Sequence, residues 1–157
     1  MSNFFALIRN PIKFRLFLLS KLPSAYFSGV RVKYADDEKA IVTIPYKWFS
    51  TNPFKSTYFA CLSMAAEMST GVLALANIYG LKPGVSMLVL KIEGNFYKKA
   101  IGISTFTCND GKAVKQVVQQ TIKSGEATQI TMNAMGTNEN GEIIAEFNIT
   151  WSFKAKK

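Results

Sequence analysis

The stretch STYFACLSMAAEMSTGVLALANI, residues 56–78, is small or apolar almost throughout, yet it carries one carboxylate, Glu67. Acidic side chains are among the rarest occupants of a protein interior. Desolvation raises a carboxyl pKa toward neutrality, where a base that activates water works best. Glu67 is therefore a candidate general base, or a nucleophile. Three and four residues away, at helical spacing, lie Ser63, Met64, Thr70 and Gly71. The Ser63 and Thr70 hydroxyls are within reach of the carboxylate, and Gly71 leaves room for a substrate or a partner chain. The competing reading is structural: the carboxylate reaches the helix edge and pairs with a Lys, an Arg or a backbone N–H across a dimer.

The chain has no histidine. Ser-His-Asp and Cys-His catalysis in their usual forms are excluded, as are His-ligated zinc and two-His iron sites. No metal is expected. Acid–base chemistry near neutral pH falls to a perturbed carboxylate, Lys, Tyr or Cys. The two cysteines, Cys61 and Cys108, form no CxxC or zinc spacing. They read as buried free thiols in a reducing cytoplasm. Asn52 before Pro53 fits a helix N-cap, with Ser56 or Thr57 as later alternatives. The Asn52 amide could also orient water or a carbonyl. Tyr58 reads as a packing aromatic or an acid. Lys98 and Lys99, in NFYKKA, are either a solvated hairpin end or a contact for a phosphate.

Nineteen Lys and Arg against ten Asp and Glu give a net charge of +9, which suits nucleic acid, an anionic membrane or an anionic small molecule. The cations are spread, with no run as dense as a nucleic-acid arm. A basic soluble surface is the simplest account and a phosphate-attracting site the next. Nothing beyond charge supports nucleic acid. A hydrophobic fraction of 48%, with twelve Phe, allows a sizeable core.

These residues need elements to position them. Residues 1–25 read as short amphipathic helices broken at Pro11 and Pro23, with Phe14, Leu16, Phe17, Leu18, Leu19 and Leu22 packing on the body. Charges interrupt this segment, so no signal peptide is expected. Weak peripheral membrane contact stays open. VRVKY and AIVTI alternate about the turn ADDEK and read as a hairpin. The run 56–78 is long enough to span a bilayer, but a central carboxylate costs about 2.5–3.5 kcal/mol on insertion scales. A core helix wrapped by a sheet explains the pattern at less cost, and no membrane span is expected. VSMLVLKIEGNFYK, apolar on both faces, predicts a mostly covered strand, and AIGISTFTC the next. KAVKQVVQQTIKSG has helical periodicity and ends at Gly125. EATQITMNAMGT resumes strand. In EIIAEFNITWSF, Ile143, Ala145, Phe147, Ile149, Trp151 and Phe153 face one way. With no repeat or linker, residues 1–157 read as one α+β domain with a curved antiparallel sheet around a long central helix.

That arrangement, with NPFKSTYFACLSMAAEMSTG, KLPSAYFSGVRV and the terminal ITWSF, resembles the hotdog-fold thioesterase-like superfamily over nearly the whole chain. It is most similar to a branch described as a domain of unknown function, and more distantly to the phenylacetyl-CoA thioesterase-like group. The resemblance implies an acyl thioester substrate, of coenzyme A or a carrier protein, with no other cofactor. It implies a homodimer or dimer of dimers, with sheets paired edge to edge and each site between two protomers. Asn52 and Glu67 stand where that group has an Asn and a helix carboxylate. The turn departs from the group's His-Gly-Gly type: TYFA puts Tyr58 at the His position and leaves Phe59 and Ala60 to offer backbone N–H groups to the thioester carbonyl. Two readings follow. In one, Glu67 and water hydrolyse an acyl thioester with Asn52 assisting and Tyr58, Phe59, Ala60, Ser63 and Thr70 around the substrate. In the other, a non-catalytic acyl- or lipid-binding dimer uses Glu67 structurally.

Overall fold

The computed structural model describes residues 3–156; Met1, Ser2 and Lys157, the ends of the expected domain, lie outside the described residues. Three short helices open the chain: α1 (Asn3–Arg9), α2 (Pro11–Lys21) and α3 (Pro23–Ser28). The prolines start the second and third helices, where a missing N–H costs nothing. Asn10 caps α2, its side chain accepting from the Lys13 N–H at 3.0 Å. Gly29, in the left-handed region at φ 86°, closes α3.

Strands β1 (Arg31–Ala35) and β2 (Ala40–Pro45) form the expected hairpin. Asp36 sets its turn by accepting from the Glu38 and Lys39 N–H groups, both at 2.8 Å. After a short 3-10 turn at Trp48–Ser50, the long helix α4 (Phe59–Ile78) runs through the centre. Then come β3 (Val85–Phe96), β4 (Ile103–Cys108), α5 (Gly111–Ser124), β5 (Thr128–Thr137) and β6 (Ile143–Ala155). The six strands form one antiparallel sheet in the order β1-β2-β4-β5-β6-β3. All six touch α4, and α1, α3 and α5 cover what the sheet leaves open.

Small side chains let the sheet close this tightly. Ala65, Ala66 and Ala74 are fully buried on α4 beside Leu73. On the strands, a Cβ added at Gly136 would stand 2.5 Å from the Phe106 ring, and one at Gly94 would stand 2.8 Å from Phe147. Those two rings meet edge to face with centroids 5.7 Å apart. This is a helix with a sheet rolled around it, the hotdog fold. By length and composition α4 is apolar enough to cross a bilayer, and 61% of its most apolar window is buried inside the protein.

Four expectations need correction. First, α4 starts at Phe59 after Tyr58, with no side-chain cap, so neither Asn52, Ser56 nor Thr57 caps it. Asn52 instead organises its own loop, accepting from the Phe54 and Ser56 N–H groups at 3.0 and 3.2 Å. Second, β3 is not covered. It pairs only with β6 and stands at a sheet edge, with Leu88, Leu90 and Ile92 exposed. Third, Phe14 and Leu18 are buried and Phe17 packs on the core, but Leu16, Leu19 and Leu22 are exposed. One face of an eleven-residue helix can meet the body, and both faces of α2 are apolar. Fourth, on β6 the residues Ala145, Phe147, Ile149, Trp151 and Phe153 point inward as expected, but a register shift opposite Thr137 turns Ile143 outward and buries Ile144.

Candidate functional site

The polar residues of α4 explain themselves, with one exception. Ser63 donates to the Phe59 carbonyl, Ser69 to Ala66, Thr70 to Glu67 and Asn77 to Leu73, at 2.7–2.9 Å. Each returns its polarity to its own helix. Thr70 also accepts from Trp151 Nε1 at 2.9 Å, which ties β6 to the helix. The exception is Glu67. Among the described residues its carboxylate has no hydrogen bond and no ion pair; the salt bridges join Lys91 to Glu93, Lys98 to Glu142 and Lys112 to Glu38. Ser63 and Thr70, expected to bond it, are spent on backbone carbonyls.

The Glu67 carboxylate lies over Gly71, whose hypothetical Cβ would be 3.1 Å from Oε1 and 3.3 Å from the Trp151 ring. It lines a cavity of about 110 Å³. The roof comes from Phe4 on α1 and Phe14, Phe17 and Leu18 on α2; Met87 of β3 and Trp151 of β6 form walls. Among the described residues no Lys, Arg or other carboxylate lines it. Burial alone pushes the Glu67 carboxyl up from its ordinary 4.5 to about 7. This group is unpaired, half-buried and poised near neutrality beside an apolar space.

The remaining candidate residues gather elsewhere. Asn52, Tyr58, Phe59, Lys98 and Lys99 line an open cleft of about 580 Å³ at the start of α4. It shares no lining residue with the Glu67 cavity. Eight residues of helix separate Phe59 from Glu67, about 12 Å. In the cleft, the Asn52 amide donates to Ser56 Oγ at 3.1 Å. Lys98 is paired with Glu142, and Lys99 reaches the Phe54 carbonyl at 3.4 Å. Tyr58 and Phe59 pack edge to face at 4.9 Å, and both are exposed. Among the described residues the Phe59 and Ala60 N–H groups have no acceptor, as expected for a first helical turn.

Sequence reading missed three features. The aromatic roof over Glu67 depends on how α1 and α2 fold back, which periodicity does not give. Trp151 beside the carboxylate was half legible, since the alternation of β6 places it inward. Thr57, buried in the same cleft with an unpartnered Oγ1, carried no signal. Both cysteines are free and buried as expected, and burial raises Cys61 and takes Cys108 up to about 12, so neither is a ready nucleophile.

No protein-family model and no curated protein matches the sequence. Solved structures do. A Pseudomonas aeruginosa protein of unknown function, named "Probable Thioesterase", superposes with a TM-score of 0.78 at 19% identity, covering 93% of this chain and 97% of its own. A protein with unknown function from Chlorobaculum tepidum gives 0.77 at 16% identity, with the same coverages of 93% and 97%. A thioesterase from Haemophilus influenzae gives 0.62 at 16% identity, covering 89% and 88%. At these identities the likeness establishes the fold, one shared with thioesterase-like proteins.

Proposed function

We propose that this chain hydrolyses acyl thioesters, with Glu67 as the general base. The observation that carries the reading is the unpaired Glu67 carboxylate, with a pKa raised to about 7, facing an apolar cavity. A structural carboxylate is expected to have a cation or a set of N–H donors, and this one has neither among the described residues. The acyl chain enters the aromatic cavity and water sits against Glu67. The carboxylate takes a proton from water as its oxygen attacks the thioester carbonyl carbon. The carbon–sulfur bond then breaks, the proton passes to the thiolate, and a carboxylic acid and a free thiol leave. The substrate supplies coenzyme A or a carrier thiol, and no other cofactor enters. The Phe59 and Ala60 N–H groups, at the positive end of α4, suit the oxyanion.

One chain leaves this site incomplete, because a reacting carbonyl cannot meet both Glu67 and an N–H group about 12 Å away along the helix. A homodimer joined along the open edge of β3 answers this. That strand already borders the Glu67 cavity through Met87 and exposes Leu88, Leu90 and Ile92. The cavity, about 110 Å³, is smaller than the roughly 300–1,000 Å³ of drug-sized ligand sites. It suits a short acyl group, or a longer one once α2 shifts.

A second reading, a non-catalytic acyl-binding dimer, draws on the cleft, where Asn52 and Lys98 are committed to Ser56 and Glu142. A panel of acyl-CoAs separates the two. Hydrolysis that collapses in Glu67→Gln while the fold is kept supports the enzyme. No turnover at any chain length, or equal turnover in the variant, leaves the binding protein.

A further inference from the structure

We infer that the face formed by α2, β1 and the 3-10 turn docks on an anionic phospholipid surface. The inference is independent of whether the protein hydrolyses thioesters. The first 35 residues contain Arg9, Lys13, Arg15, Lys21, Arg31 and Lys33 and no acidic residue. None of these six cations has a carboxylate within ion-pair distance among the described residues. The nearest acids in sequence are Asp36, Asp37 and Glu38 at the hairpin tip: Asp36 holds Tyr34 and the Glu38 and Lys39 N–H groups, Glu38 pairs with Lys112, and Asp37 is exposed with no ion pair to any of the six among the described residues.

Geometry turns this charge into a surface. Arg9, Arg15, Arg31 and Lys33 line an open cleft of about 410 Å³ between α2 and edge strand β1. Arg15, Arg31 and Lys33 also line a second cleft, of about 280 Å³, that reaches Lys47. Apolar groups flank the cations on both sides. On α2, Ile12 (73% exposed), Leu16 (61%) and Leu19 (40%) fall at i, i+4 and i+7 on the face opposite buried Phe14 and Leu18. On the other side Arg15 stacks on Tyr26 at 3.9 Å, Tyr26 meets Phe27, Phe27 stacks on Phe49 at 5.7 Å, and Phe49 meets Trp48, which is 84% exposed. Arg15 also donates to the Val30 and Tyr26 carbonyls, both at 3.2 Å, which fixes its guanidinium in the cleft wall. Solvent does not favour three aliphatics and three aromatics held out around a cluster of cations that have no carboxylate partner among the described residues. A lipid interface favours both: aliphatics enter the acyl boundary, Trp sits at headgroup level, and Arg and Lys meet phosphate. Cations on an edge strand also deter strand pairing, but that role does not call for the apolar flanks.

Trp48 provides the readout, because the other tryptophan, Trp151, is buried. The full chain is titrated with vesicles of phosphatidylcholine alone and of phosphatidylcholine with phosphatidylglycerol, following Trp emission and co-sedimentation. Binding and a blue shift are expected with the anionic vesicles only, and both are expected to disappear in high salt. The double variant Arg31→Gln/Lys33→Gln is expected to weaken binding by about tenfold or more. Ile12→Ser/Leu16→Ser/Leu19→Ser is expected to weaken it on the same vesicles, and Trp48→Phe to lose the emission change while still sedimenting. No binding to anionic vesicles at low salt overturns the proposal. Equal binding to neutral vesicles, or full binding by either multiple variant, does the same. So does a fall in oligomeric state in the Ile12/Leu16/Leu19 variant with vesicle binding unchanged, which would assign the stripe to a second copy of the chain.

Discussion

The cavity beside Glu67 and the cleft at the start of α4 lie on one helix, yet they satisfy polar atoms in opposite ways. In the cleft most polar side chains have a partner: Asn52 holds Ser56 and Phe54, Lys98 holds Glu142, and Lys99 reaches Phe54. Beside Glu67 the walls are apolar, and among the described residues its charge stands alone. Family motifs draw attention to the first place, but electrostatics picks the second. A charge without a partner is costly, so a fold that keeps one points to a use for it.

The sharpest way to break this contrast is Glu67→Gln. Loss of a general base is expected to cut kcat/KM by about 100- to 10,000-fold, measured by thiol release from an acyl-CoA. Asn52→Ala is expected to act mainly by loosening its loop, so it should lower the melting temperature while reducing kcat far less than Glu67→Gln.

The pH dependence of stability comes next in size. The folded state raises the Glu67 pKa from 4.5 to about 7. The group therefore costs nothing below pH 4.5, where both states hold the proton. Stability is then lost as pH rises toward 7, and the loss is complete above it, on the order of 3 kcal/mol. Urea unfolding should accordingly find Glu67→Gln more stable than the parent at pH 8 and level with it at pH 4. A parent at least as stable as the variant at pH 8 would mean that the carboxylate has a partner. The same ionisation predicts hydrolysis that rises through about pH 7 and then levels.

Thr57 sharpens the comparison from the cleft side. Its buried Oγ1 has no partner among the described residues, so Thr57→Val is expected to be neutral or stabilising by about 1 kcal/mol in thermal unfolding. A loss of activity in that variant, with stability kept, would move the reacting carbonyl toward the start of the helix. The smallest effect is expected for Lys98→Ala. Its ammonium is already committed to Glu142, so KM for a CoA thioester should change by less than about twofold.

The sequence made the core helix legible, because a run apolar on every side has to be wrapped. It also made Glu67 legible, since no other charge interrupts that run. What it hid is instructive. The open edge of β3 looked covered because its residues are apolar on both faces, and composition does not distinguish a strand covered within its own chain from one that awaits a partner. The start of α4 was misplaced because Asn52 and Pro53 suit a cap and a first turn, yet the same residues serve an Asx loop equally well. Periodicity counts apolar residues without saying which face meets the body, so it does not separate the outward stripe of α2 from its packing residues. The roof over Glu67 depends on contacts between residues about fifty or more positions apart in the chain, and no local pattern encodes those.

Gly136 with Phe106 and Gly94 with Phe147 have a consequence for how this chain can vary. Each ring occupies the space a neighbouring side chain would need, and the two rings touch each other. The four positions therefore form one epistatic unit. Gly136→Ala alone should be poorly tolerated and Phe106→Leu alone should leave a void, while the pair together should cost less than the sum of the two. Substitutions at these sites are expected to be acceptable only in compensating combinations, so drift in this part of the core would proceed in coupled steps.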